Sequence, residues 1–156
     1  EGKTPPSESG DLRINIISGH FLPVPRGRAT GSKVRVVVSL MGAAGDEKTY
    51  ETKFEEGTLN PTWGDPTSPK EEAYRFRITR PEVAALLVQL VEPSEDSKKL
   101  PKTTLSSSSQ QGHIAQACAP IGCIREGYRI IPLYDARCQP VFGFLFVRVW
   151  NDFLGS

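Results

Sequence analysis

The sequence predicts an all-β protein, an eight-stranded antiparallel β-sandwich. Apolar and polar residues alternate at period two in several separate segments, the pattern of strands with one buried face. Fourteen glycines and thirteen prolines fall between these segments, so many short elements are joined by turns. Almost no helical pattern is present, and strands at this regular spacing pack as a sandwich.

The N-terminal ten residues are polar, with Pro5 and Pro6, and are expected to be a linker or tail. Leu12-Arg13-Ile14-Asn15-Ile16-Ile17 alternates and predicts the first strand, closed by Ser18-Gly19-His20. Pro23, Pro25, Gly27 and Gly31 make the next stretch a loop, which holds Arg26 and Arg28 and no acid. Lys33–Leu40 predicts a strand with Val34, Val36, Val38 and Leu40 on one face. A glycine turn follows, then a Thr- and Tyr-rich strand over Lys48–Phe54. Leu59-Asn60-Pro61-Thr62-Trp63 is a turn sealed by an aromatic ring, and Pro66–Lys70 is expected to be a loop insertion. Ala73–Thr79 sets Tyr74, Phe76 and Ile78 against Arg75, Arg77 and Thr79.

The longest apolar run, Val83–Val91, is broken only by Gln89. By length alone it suits a buried strand or a short buried helix; Pro81 and Pro93 at its ends favour the strand. It hands the acidic residues Glu92, Glu95 and Asp96 to one end of the molecule. A long polar stretch, Ser- and Gln-rich over 97–112, leads to strand His113–Pro120. Ile121–Gly127 suits one helical turn, and strands Tyr128–Tyr134 and Val141–Trp150 finish the chain. One domain is expected over residues 11–151, with 152–156 a tail. Trp63, Tyr74 and Trp150 are expected in its core.

The 156 residues suffice for one domain with a proper core. A net charge of +1 gives no global field toward nucleic acid or membrane, so any such attraction is local. No apolar run is long enough to span a bilayer as a helix. The chain starts at Glu1 without a signal-peptide pattern and is expected to be a piece of a longer protein. Cys118, Cys123 and Cys138 are an odd set without CxxC spacing, which suggests reduced thiols in a cytoplasmic protein. Cys118 is expected to be a buried, inert thiol. His20 and His113 are not spaced as metal ligands, and neither a Gly-x-Ser-x-Gly elbow nor a phosphate-binding glycine loop occurs. No catalytic residue is expected.

Several motifs, taken in order, carry a resemblance. They are Leu12–Gly19 with Leu22-Pro23, Leu59-Asn60-Pro61-Thr62-Trp63, Tyr74-Arg75-Phe76, Pro81-Glu82-Val83, Leu90-Val91-Glu92, Gly127-Tyr128-Arg129 and Phe146-Val147-Arg148-Val149. From about Asp11 to Trp150, with insertions near 64–72 and 97–112, the chain resembles a C2 domain. Asn-Pro-x-Trp is the broad signature. Arg-Ile-Thr-Arg-Pro-Glu-Val and the late Gly-Tyr-Arg resemble the C-terminal C2 domain of phosphoinositide-specific phospholipase C. That resemblance implies a non-catalytic module of a phosphoinositide phosphodiesterase, whose catalytic histidines and metal ligands would lie in a separate barrel. Alternatively, it is a protein-binding C2 domain of another signalling or trafficking protein.

Calcium-binding members of the family supply an Asp from the first loop and an Asp pair from the end of the central strand. Those positions fall here on Gly31, and on Pro93 and Glu95. Ca²⁺ wants six to eight oxygens. Gly31 and Pro93 offer no side-chain oxygen, and Arg26 and Arg28 oppose a dication, so no calcium cofactor and no metal site are expected. Fixed cations would take its place at an anionic phospholipid membrane: Arg26, Arg28 and Lys33 near the first loop, and Lys98, Lys99 and Lys102 in the long one. Each adds about 1 kcal/mol near an anionic surface. Phe21 with Leu22, or Leu100 with Leu105, would dip into the interface. Glu55, Glu56 and Asp65 would repel the same surface. Arg35, Arg75 and Arg77 form a second candidate basic face. The implied partners are a peripheral inner-membrane surface and the parent's own catalytic barrel; nucleic acid is not one.

Overall fold

The computed structural model describes residues 9–23, 33–93 and 112–152. Eight strands run through them: β1 Gly10–His20, β2 Arg35–Met41, β3 Lys48–Glu51, β4 Tyr74–Ile78, β5 Ala85–Glu92, β6 Gly112–Pro120, β7 Gly127–Tyr134 and β8 Pro140–Asn151. All pairings are antiparallel, in the order β3-β2-β5-β6-β7-β8-β1-β4. β6 and β7 meet at one register pair, Gln116 with Tyr134. That seam divides the sheet into two four-stranded halves, which form the sandwich.

The alternation in the sequence becomes the core. Leu12, Ile14 and Ile16 of β1, Val36, Val38 and Leu40 of β2, and Leu86, Val88 and Leu90 of β5 point inward with Phe76, Ile78, Leu145, Val147 and Val149. β3 is shorter than expected and ends at Glu51. Beyond it Thr52 breaks the regular ladder, because its hydroxyl accepts from Val36 N at 2.9 Å. The helical turn expected after β6 is present as a single 3-10 turn, Ile121–Cys123.

The sandwich closes on its far side through two tyrosines. β3 and β4 are the outer strands of the order and share no ladder. Tyr50 and Tyr74 stack at 4.6 Å between them. Tyr74 Oη donates to Glu51 O at 3.2 Å, and Tyr50 Oη donates to Arg75 O at 2.8 Å. Each ring thus satisfies an edge carbonyl of the opposite strand.

The Asn-Pro-x-Trp turn is laced to the end of β1. Gly19 N donates to Pro61 O (2.9 Å), Leu22 N to Leu59 O (3.0 Å), and Trp63 N and Gly64 N both donate to Ile17 O. A Cβ on Gly64 would sit 2.6 Å from Ile16 O, so only glycine permits this approach. Trp63 and Tyr74 pack against the core from its margin. Trp150 does not join it: Val149 and Asn151 take the inward positions of β8, and the indole faces outward against Arg148.

Tyr74→Phe removes one edge hydrogen bond and should lower unfolding stability by about 0.5–1 kcal/mol in urea titration. Burial, reinforced by Tyr50, raises the Tyr74 phenol above its ordinary value. The unfolded chain therefore ionises first. Stability from this group is full below about pH 10 and is lost as pH rises through the folded value. The fall in melting temperature above pH 10 should be shallower in the Phe variant.

Candidate functional site

One end of the sandwich gathers the exit of β1, the approach to β2, residues 55–62, the exit of β5 and the β7–β8 turn. Most of the residues expected to form a site there, Arg26, Arg28, Gly31, Glu95, Lys98, Lys99 and Lys102, lie outside the described residues. Lys33 is described and pairs with Glu56 at 3.8 Å, so its charge is answered locally. Pro93 is exposed just beyond β5. Glu92 does not project into the loops as the acidic run suggested; it is buried, and its side chain lies over Gly112, where a Cβ would come within 2.5 Å of it.

The basic face expected from Arg35, Arg75 and Arg77 does not form. Arg35 belongs to β2, where it pairs with Glu51 at 3.1 Å and lies 4.4 Å from the Phe54 ring centre. Arg75 and Arg77 belong to β4 on the other half, and Asp11 faces both, at 2.8 and 3.9 Å. Sequence alternation shows that these arginines point outward but not which strands are neighbours. Cys118 is exposed, not buried. Its strand turns Ala115 inward, which sends Cys118 outward on the same alternation.

A different surface emerges on the outer face of β7, β8 and β1. β8 is apolar on both parities: Leu145, Val147 and Val149 point inward, while Phe142, Phe144 and Phe146 point out. Phe142 is 85% exposed and Ile130, on the neighbouring strand, 61%. Phe144 stacks on His20 at 5.0 Å, Phe146 on Tyr128 at 5.7 Å, and Phe142 meets Phe21 at 5.8 Å. The His20 ring is fixed by a 2.9 Å hydrogen bond between Nε2 and Ser18 Oγ. Phe21 adopts a left-handed backbone (φ 52°), a conformation unfavourable for an aromatic residue. It is held there by Phe21 N donating to Asn60 Oδ1 at 3.0 Å. Its carbonyl lies over Gly143, where a Cβ would come within 2.6 Å.

The insertion expected at 66–70 bounds this surface. Residues 65–72 leave the β4 edge and cross the outer face as a strap. Asn15 Nδ2 donates to Asp65 O (2.9 Å), Tyr128 Oη to Pro66 O (2.8 Å) and Arg13 Nη1 to Lys70 O (3.4 Å), while Lys70 pairs with Asp152 at 3.0 Å. Arg148, in register between Asn15 and Tyr128, lies beneath it and stacks on the Tyr128 and Trp150 rings at 5.0 and 4.6 Å. Hydrogen bonds from the Thr67 side chain and backbone hold the Asp65 carboxyl below its ordinary value. The strap covers the half of the face toward Trp150 and leaves the Phe142–Phe146 half open.

This surface escaped sequence reasoning, although a signal existed. A strand apolar at both parities is covered on both faces, and Phe142, Phe144 and Phe146 sit at the parity opposite to Leu145, Val147 and Val149.

The chain matches the family model described as C2 domain over residues 10–120. It is 29% identical over 143 residues to mouse (Mus musculus) 1-phosphatidylinositol 4,5-bisphosphate phosphodiesterase zeta-1, covering 89% of this chain and 19% of the relative. It is 27% identical over 111 residues to Phosphoinositide phospholipase C 9 of Arabidopsis thaliana, covering 71% of this chain and 17% of the relative. The chain thus spans under a fifth of the length of these curated relatives. Among solved structures, S. officinalis PLC21 superposes with a TM-score of 0.68 at 20% identity, over 99% of this chain and 17% of that one. A C2 domain of plant Extended Synaptotagmin 1 superposes with a TM-score of 0.61 at 13% identity, over 94% of this chain and 95% of that one. These likenesses establish the fold.

Gly143→Ala should displace the Phe21 carbonyl and cost about 1–3 kcal/mol. A melting temperature unchanged from the parent would show that the Phe21–Gly143 contact is not tight.

Proposed function

Because this chain belongs to the C2 domain family, we propose that it is the non-catalytic, calcium-independent C2 module of a phosphoinositide phospholipase C or phospholipase-C-like protein, packing on the parent's catalytic barrel. The open aromatic half of the β7–β8 face carries this reading. Phe142, Phe144, Phe146 and Ile130 form a contiguous apolar surface, of the kind that soluble proteins reserve for a partner. The aromatic rings are stacked in pairs, so little side-chain freedom is lost on docking. The relatives that match most of this chain are named as phosphoinositide phosphodiesterases and phospholipases, which supports such a parent. In this proposal the catalytic residues belong to the barrel, and this chain alone hydrolyses no phosphoinositide.

Membrane association is the second reading, favoured by Phe21 and Phe142 at the loop end, 55% and 85% exposed. In this reading they enter an anionic phospholipid surface while Arg26, Arg28, Lys98, Lys99 and Lys102 meet the headgroups. Lys33, already paired with Glu56, contributes little. The domain then works at the cytoplasmic side of the membrane. Among the described residues no helix is long and apolar enough to cross a bilayer. Calcium independence rests on Gly31, Pro93 and Glu95 at the positions of the family's ligands. A protein-binding domain with no lipid contact would use the same aromatic face.

Phe142→Glu with Ile130→Glu should leave the domain folded, since both side chains are exposed, and should abolish its association with a separately expressed parental barrel. Unchanged barrel binding would sink the packing proposal. Pelleting with vesicles containing anionic lipid, against neutral vesicles, separates the membrane reading. Calcium in place of chelator should leave the melting temperature unmoved; a rise would overturn the calcium-independent assignment.

A further inference from the structure

A second surface, which shares Ile130 with the aromatic face, lies at the seam between the two halves of the sandwich. β6 and β7 meet only at Gln116 and Tyr134. β6 runs on to Pro120 with β5 on its other edge, and β7 begins at Gly127 with β8 on its other edge. Among the described residues, the facing edges of 117–120 and 127–133 form no backbone hydrogen bond with each other or with another segment. Two unpaired strand edges therefore look at each other across a gap. The gap is a cavity of about 370 Å³ floored by Ile14, Val88 and Val147 of the core.

The lining carries one sign of charge. Among the described residues, Arg125 and Arg129 are its ionisable cationic side chains and no carboxylate lines it. The Arg129 guanidinium is engaged by carbonyls, donating to Glu126 O at 2.6 Å. Arg125 is exposed, and among the described residues its side chain makes no hydrogen bond or ion pair. An occupant must satisfy three features at once: backbone donors and acceptors on both walls, an apolar floor and an exposed cation at the rim.

We propose that this cleft is a docking slot for an extended segment of a partner polypeptide that carries alternating apolar residues and a carboxylate. Such a segment enters as a strand. Its backbone pairs with the open edges of β6 and β7, its inward side chains cover the apolar floor, and its carboxylate meets Arg125. An acyl chain would cover the floor but leave the strand-edge N–H and C=O groups buried without partners. The slot shares Ile130 with the aromatic face, whereas Phe142 lies outside its lining, so Phe142→Glu alone tests the barrel-packing face apart from the slot.

The test is a selection from a random decapeptide library on this domain, followed by binding and amide hydrogen exchange with the selected peptides. The expected peptides alternate apolar residues, share an acidic residue and slow exchange at the edge amides of 117–119 and 128–131. Arg125→Glu, at a side chain with no hydrogen bond or ion pair among the described residues, should weaken them about tenfold or more, a loss of about 1.4 kcal/mol. N-methylation of alternate peptide amides should abolish binding. Cys118 and Cys123 line the cleft and are exposed. A bulky maleimide on either, in a Cys138→Ser background, should therefore block the peptides. Selected peptides without the alternating acidic pattern, or binding that survives both Arg125→Glu and thiol blocking, would overturn the proposal. Displacement of the peptides from the cleft by oleate would reassign it to an acyl chain. Self-association of the domain with protection of the same amides would reassign it to a second copy.

Discussion

Strand β1 is held along both edges, and the remaining structure is arranged around that constraint. One edge pairs with β8 from Leu12 to His20. The other edge is shared: Gly10–Ile14 pair with β4, and Ile17–Leu22 take hydrogen bonds with the Asn-Pro-x-Trp segment. Between Ile14 and Ile17 the strand advances three residues, while the chain opposite runs from Gly64 to Tyr74. The surplus cannot stay in the sheet, because side-by-side strands advance in step. Residues 65–72 are forced out and lie down over the outer face as the strap. The same lacing holds Phe21 in its left-handed conformation, with Asn60 satisfying its N–H. The strap and Phe21 therefore have one cause, a strand whose second edge is filled by two segments in succession.

A sandwich has two faces inward and two outward, and the outward ones decide what this molecule can touch. On the β2–β5 half the outer charges answer one another: Arg35 has Glu51, and Lys33 at the approach has Glu56. Exposed pairs of this kind add little stability, but they cancel the local field that would draw the face to an anionic surface. On the other half the strap covers the end toward Trp150 and leaves Phe142 exposed, with Phe144 and Phe146 half-buried beside it. The open area exists because β8 has apolar side chains on both parities and the strap is only long enough to cover one end. A partner that removes Phe142 and Ile130 from water gains about 25 cal/mol per Å² buried. The aromatic surface is thus built on a fixed sheet, and its rings are positioned by cross-strand stacking.

Much of the fold was legible in the residues. Period-two alternation marks β1, β2 and β4, because a pleated strand sends successive side chains to opposite faces and one of those faces is the core. The run Val83–Val91, continuous but for Gln89, announced an interior strand, and β5 does lie between β2 and β6. The Asn-Pro-x-Trp motif was legible as a turn, though not its role along β1, since that depends on contacts between residues 17–22 and 59–64. Less of the site was legible. The arginines of β2 and β4 look equivalent in sequence, yet they sit on different halves with different acids. Glu92 reads as the first of an acidic cluster, yet it is the last inward-packed residue of β5.

Sequence alone determined the number of strands, the inward faces of β1, β2 and β4, and the family, because these follow from local alternation, turn chemistry and short motifs in order. Tertiary structure decided which outward residues became neighbours. Strand order β3-β2-β5-β6-β7-β8-β1-β4 is set by crossovers that leave no local trace. Only that order puts His20 beside Phe144, Pro66 above Tyr128, Asp11 between two arginines, and an unpaired edge of β6 opposite one of β7. Apart from the β6–β7 seam, each of those contacts joins residues far apart in the chain. The physical reason is that alternation specifies the face a side chain takes, whereas its partner on that face is set by long-range pairing.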